Sequence, residues 1–171
     1  MGITFHPNGD VTGSGASNFG SSGQILQVKT DTRNGASIDI SHPSTEVTSF
    51  GANLEVSITF SSTSNKFIAS CFIPDIYNMA VANRAMHAGF SYSTNNFSSQ
   101  SILGGASIIS DYISWQGTPT DLNEATYTTS GNCPTATGIT IRPHFTTVNG
   151  QIRMMANSVG YAQLTVMEIK A

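Results

Sequence analysis

The residues from which this chain could build chemistry are four histidines, His6, His42, His87 and His144, two cysteines, Cys71 and Cys133, and ten carboxylates. A metal site read from sequence wants ligands at short fixed spacing, as in Cys-x-x-Cys or His-Glu-x-x-His, and neither pattern occurs. Asp75, Asp111, Asp121 and Glu124 could in principle pair as the acid and base of a glycosidase, but no aromatic-lined cleft is announced around them. A serine nucleophile on a Gly-x-Ser-x-Gly elbow is missing as well. The glycine-rich stretches "GSGASNFGSSG" and "LGGASI" lack the Lys-Ser/Thr ending of a phosphate loop. No catalytic residue, metal ligand or cofactor site is assigned, and the chain is not expected to be an enzyme.

Composition points elsewhere. Charged residues make up 10% of the 171, against roughly 25% in an average soluble protein, and Ser, Thr, Asn and Gly fill the gap. A surface so poor in charge suits a protein partly covered by other subunits. The formal net charge is -3 with only seven Lys and Arg, none clustered, which argues against nucleic acid and anionic membranes as partners. No apolar run approaches the roughly 20 residues of a membrane-spanning helix. The opening "MGITFHPNGD" shows no charged segment followed by an apolar one, so synthesis in a cytoplasm is expected. For that setting Cys71 is read as a buried free thiol and Cys133 as a loop thiol, rather than as a disulfide.

The elements that would have to position any site are strands. Eight segments carry strand character: 24–30, 54–60, 66–73, 84–93, 124–130, 138–145, 151–156 and 161–169, separated by Gly, Asn, Ser and Pro. Many short strands with no helical period predict an all-β protein, an antiparallel β-sandwich or barrel. In 54–60, Leu54, Val56, Ile58 and Phe60 share one face. In 66–73 both faces are largely apolar, which predicts a central strand or one facing a subunit. Pro143 argues for an edge or a bulge. Asn8-Gly9 and Asn149-Gly150 are read as two-residue hairpin turns, the second joining 138–147 to 151–156, and "SSTSN" (61–65) as the link of an antiparallel pair. Residues 1–23 form an arm, a small ribbon plus a Gly/Ser-rich linker, and 24–171 form the body.

Three connections exceed hairpin length: 74–83, 94–110 and 115–123. Long loops are where recognition resides, and Tyr77, Phe97 and Trp115 fall in or beside them. Loop aromatics serve as flat binding platforms or as plugs at the ends of a sandwich, and both readings stand for Trp115 and Tyr112. The chain closes on "AQLTVMEIKA", an alternating strand with Leu164 and Val166 on one side and Thr165, Met167 and Ile169 on the other.

Three short stretches, "GQILQVKTDT", "FSSTSNKFIASCFIP" and "YAQLTVMEIKA", together with the opening "MGITFHPNGDVTG", resemble virion structural proteins of tailed bacteriophages, marine and cyanobacterial phages especially. The resemblance spans most of 24–171. It implies a jelly-roll-like sandwich that forms homotrimers in the manner of tumour necrosis factor and complement C1q heads, located in the virion. Within it the chain is a tail-fibre or spike component, with Tyr77, Asn78, Asn95, Asn96, Phe97, Trp115 and Gln116 facing a host surface glycan or protein. The alternative is a capsid decoration protein, and a carbohydrate-binding or hydrolytic sandwich is a remote third. Ile3, Phe5 and His6 of the arm would anchor to other virion proteins. Tyr161, Met167, Glu168 and Ile169 would lie at the trimer contact or in the core, where Glu168 would need a partner, Arg84, Arg142 or Arg153 being expected.

Overall fold

The computed structural model describes residues 3–5, 11–13, 23–33, 38–41, 47–48, 54–78, 84–104, 111–115, 122–147, 151–154 and 161–171, with side-chain surroundings given for 23–33, 54–76, 88–104, 124–145, 154 and 161–171. Fourteen strands are described: β1 (Ile3–Phe5), β2 (Val11–Gly13), β3 (Ile25–Arg33), β4 (Ile38–Ser41), β5 (Val47–Thr48), β6 (Val56–Thr59), β7 (Lys66–Asn78), β8 (Arg84–Ser93), β9 (Ser101–Ile102), β10 (Asp111–Trp115), β11 (Leu122–Asn132), β12 (Gly138–Thr147), β13 (Gln151–Met154) and β14 (Ala162–Ile169).

All pairings are antiparallel. One sheet runs β3-β14-β7-β11, with β13 pairing the far end of β7 and carrying β4. The other runs β6-β12-β8-β10, with β5 beside β12 and β9 beside β8. Along the chain β3, β6, β7, β8, β11, β12 and β14 alternate between the two sheets. That alternation, with first and last strands adjacent, is the strand order of a jelly roll, two Greek keys wrapped into a sandwich. The all-β antiparallel sandwich expected from the sequence is therefore the architecture found.

Alternation dictates the core. Phe67, Ala69, Cys71 and Ile73 of β7, Leu164 and Val166 of β14, and Tyr127 of β11 turn inward from the first sheet. Val56 and Ile58 of β6, Phe90 of β8, and Ile139, Ile141 and Phe145 of β12 meet them from the second. Tyr127 bridges the layers, 4.8 Å from Phe90 and edge-on to Phe145 at 5.4 Å, geometries that favour aromatic pairs beyond the area they bury.

Three turn readings are corrected by this topology. β12 lies in one sheet and β13 in the other, so 148–150 joins two layers and is not a hairpin turn. Residues 61–65 likewise carry the chain from β6 across to β7. In the N-terminal ribbon Ile3 pairs with Gly13 and Phe5 with Val11, which centres the connection on residue 8 and leaves five residues between the strands rather than two.

Two prolines account for two further differences. Ile73 faces Ala125 and Ile76 faces Asn123, so Pro74 and Asp75 together oppose Glu124 alone. This is a β-bulge, with Asp75 at φ 52°, and β7 continues through it to Asn78 instead of ending at 73. Pro143 lies in a strand paired on both sides, but β6 covers only 138–141 and β5 only 144–145. Its missing N–H thus falls at a break in the neighbouring edge, where no ladder bond is lost.

Candidate functional site

Register fixes the two sides of β14. Directly opposed residues in antiparallel strands project from the same face. On the outer face of the first sheet this gives four rows across β3, β14, β7 and β11: Ile25, Ile169, Lys66, Asn132; Val28, Met167, Ile68, Ser130; Thr30, Thr165, Ser70, Thr128; and Thr32, Gln163, Phe72, Thr126. Of these sixteen positions, four rows of four, only Lys66 carries a charge, and its ammonium is tied to Asn132 Oδ1. Hydroxyl pairs zip the third row, Thr30 with Thr165 at 3.2 Å and Thr128 donating to Ser70 at 3.1 Å. Val28 is 50% exposed and Ile25 55%, while Leu26, the extra residue at a register shift opposite Glu168 and Ile169, is 40% exposed. The charges of β3, on Lys29, Asp31 and Arg33, all project to the other side. A patch with one charge in sixteen positions and large apolar residues in water is a surface suited to being covered.

Glu168 projects the opposite way, in step with Leu164 and Val166, and is 0% exposed. No cation meets it. Gln27 Nε2 donates to Oε2 at 2.6 Å; Ser61 N, Ser61 Oγ and Asn65 Nδ2 donate to Oε1 at 2.8, 2.8 and 2.7 Å. Burial pushes the carboxyl upward, but the hydrogen bonds of Asn65, Gln27 and Ser61 outweigh it and hold the group below the usual carboxylate range. The cage ties the last strand to β3 and to the 61–65 crossing, and Asn65 O in turn accepts from Cys133 N at 2.9 Å. The expected arginine partner is engaged elsewhere: Arg142 Nε and Nη2 both donate to Glu55 Oε2, at 2.8 and 2.6 Å. The side chains of Arg84 and Arg153 lie outside those described.

Both cysteines are free and buried, Cys133 included, although its segment reads as an open loop. Burial pushes the Cys71 thiol up to about 12. Burial first, then the nearby Glu168 carboxylate, pushes Cys133 up to about 11. His144 is buried. Gly104 has φ +80°, and a Cβ there would collide with the Thr129 side chain, so part of "LGGASI" is glycine for steric reasons.

The residues expected to face a receptor are not brought together. Tyr77 and Asn78 lie in β7, opposite Arg153 and Ile152, and Trp115 closes β10 opposite Arg84. That end of the sandwich is where β7 hands over to β8. β8 then runs away from it, so Asn95, Asn96 and Phe97, just past Ser93, lie at the opposite end. Gln116 and His6 fall outside the described residues, as do the side chains of Ile3, Phe5, Tyr77, Asn78 and Trp115. Tyr161 is 61% exposed but precedes β14, at the other end from Ile169.

The 94–99 turn is held by its own side chains. Ser93 Oγ accepts from Asn95 N at 3.1 Å and Phe97 N at 2.9 Å and donates to Asn95 Oδ1 at 2.7 Å. Asn95 Oδ1 and Nδ2 both reach Ser99. Asn96 and Phe97 are held at φ 56° and 60°. The Phe97 ring lies 3.9 Å beneath the Arg142 guanidinium, so it is spent on a cation–π contact and is no free platform. Among the described residues no group of three His, Cys, Asp or Glu could hold a metal ion.

No protein-family model matches the chain, and no curated protein matches it. Among solved structures it is similar to the tumour necrosis factor Eiger from S. frugiperda, with a TM-score of 0.44 and 6% identity over 86% of this chain and 92% of that one. The jelly-roll assignment stands on the strand order itself.

Proposed function

We propose that this chain is a non-enzymatic structural protein of a phage virion that forms homotrimers through the outer face of the β3-β14-β7-β11 sheet and serves in host attachment as a tail-fibre or spike component. The observation that carries the assembly part is the row Val28, Met167, Ile68 on a face with one charge in sixteen positions. Covering such a face removes apolar area from water and strands no buried charge. The low charge of the whole sequence and its resemblance to phage virion proteins support the same reading. Met167 and Ile169 belong to the contact in this account. Glu168 does not; it braces the strand from behind.

Light scattering on the purified chain tests assembly. The wild type is expected at three times the chain mass and Met167→Glu at one, with its far-ultraviolet circular dichroism unchanged. A monomeric wild type, or a Met167→Glu protein that still assembles, overturns it. The N-terminal ribbon favours a second placement within the virion, capsid decoration, because β1 and β2 pair only with each other among the described strands and are available to clamp a neighbour. Immunogold labelling of virions separates the two: label on the tail supports attachment, label over the head supports decoration, and label on neither rejects both.

A further inference from the structure

At the corner where the sandwich opens, β3 passes beside β6, and a groove of about 500 Å3 lies there, bordered by the 94–99 turn. β6 and β12 contribute Ser57, Thr59 and Thr140, β3 contributes Gln27 and Lys29, and the turn contributes Asn96. The size falls within the range of small-ligand sites. Among the described residues no carboxylate lines the groove, and the single charge is the Lys29 ammonium.

Hydroxyls and carboxamides are donor and acceptor at once, which is what a ring of sugar hydroxyls requires of its partner. Several of these groups have capacity left. Ser57 Oγ and Thr140 Oγ1 share one hydrogen bond at 3.2 Å, leaving the second hydroxyl proton and spare lone pairs. Gln27 commits its amide to Thr59 O at 2.8 Å and Glu168 at 2.6 Å, so its orientation is fixed and its carbonyl oxygen remains for a donor. Lys29 makes no ion pair among the described residues.

The turn supplies an independent sign. A left-handed backbone is tolerable for asparagine but unfavourable for phenylalanine, and here Phe97 is held in it by Ser93 Oγ and by the Arg142 stack. Strained backbone that its surroundings over-determine concentrates at ligand clamps. Here the conformation leaves the Asn96 carboxamide exposed at the groove.

We propose that this groove binds an acidic oligosaccharide, with Lys29 pairing the sugar carboxylate and Asn96, Thr59 and the Ser57 and Thr140 hydroxyls taking the ring hydroxyls. This rests on the attachment part of the function proposed above and is independent of trimer formation. It also moves recognition away from the Tyr77 and Trp115 end.

The test is an amide-shift titration of the isotopically labelled full chain with hyaluronan tetrasaccharide, which carries uronic acids, and with chitotetraose as the neutral counterpart. Hyaluronan tetrasaccharide is expected to shift Ser57, Asn96 and Thr140 and to bind about two- to fivefold tighter than chitotetraose, one exposed ion pair's worth. Lys29→Met should make the two probes equal. Asn96→Gly, which keeps the left-handed backbone, should weaken both. Equal binding of the probes by the wild type, shifts clustered away from the groove, or no shift with either probe would each overturn the proposal. Mass measured on the same sample keeps the readings apart: a trimer that ignores both probes overturns the groove alone, and a monomer that binds them overturns the assembly alone.

Discussion

Glu168 shows how a single side chain is read from sequence and where that reading stops. Its burial follows from period-two counting once Leu164 and Val166 are placed in the core. Its partners do not, because Gln27, Ser61 and Asn65 lie 141, 107 and 103 residues away in sequence. A buried carboxylate suggests an arginine by habit, yet four neutral donors serve, and the cage spares the cost of burying a second charge. Glu168→Gln would turn an amide toward Asn65 and Ser61 donors, and is expected to lose about 1–3 kcal/mol at pH 7, from one buried donor left unpaired. Because the folded carboxyl is held below its unfolded value, its contribution is full above about pH 4.3 and fades as pH falls through the folded value. Urea denaturation at pH 7 and at successively lower pH checks both points: the variant should lose its deficit in acid, and an unchanged variant at pH 7 would refute the cage. The two thiols give a second residue-scale outcome. With both buried and their pKa values raised to about 12 and 11, neither should react with a disulfide reagent at pH 8 until denaturant is added. Rapid labelling of Cys133 in the native protein would contradict its burial.

At the scale of elements, ten of the fourteen described strands were legible: eight from alternating or continuous apolar residues, and β1 and β2 from the ribbon expected around Asn8-Gly9. β4, β5, β9 and β10 were missed because two to five residues carry too little alternation. The Pro74-Asp75 pair hid the second half of β7, since a bulge and a strand end present the same local sequence. Hairpins at 61–65 and 148–150 were misread because turn residues report that the chain turns, not whether it returns to the same sheet. In a jelly roll consecutive strands change layers, so the short link is the crossing and the long-range pair is the neighbour. The close approach at β11 offers a test of this packing. Gly104→Ala demands φ +80° of a residue with a Cβ and pushes it into Thr129; it should cost more than about 1 kcal/mol, read as a lower denaturation midpoint. A neutral Gly104→Ala would mean that the 103–104 turn does not pack on β11 as described.

For the whole molecule, composition said more than any motif. A chain with 10% charged residues places its few charges with economy: Arg142 pairs Glu55, Asp31 accepts from Glu55 N, and Glu168 is caged. The sixteen positions of the four outer rows carry one charge, and that patch follows from the register of β3, β14, β7 and β11 rather than from any one segment. The candidate recognition residues were the least legible part, since adjacency of long loops in sequence says nothing about which end of a sandwich they reach. Salt offers a check of the interface chemistry. An assembly held by an uncharged face should keep its mass from low to high ionic strength, whereas one held by ion pairs would weaken as the screening length shortens.

The most direct test of the central claim is the light-scattering mass of the wild type beside Met167→Glu. A wild-type mass of three chains, falling to one in the variant while the fold is retained, is the predicted result; a wild type of one chain, or a variant still at three, would contradict assembly through this face.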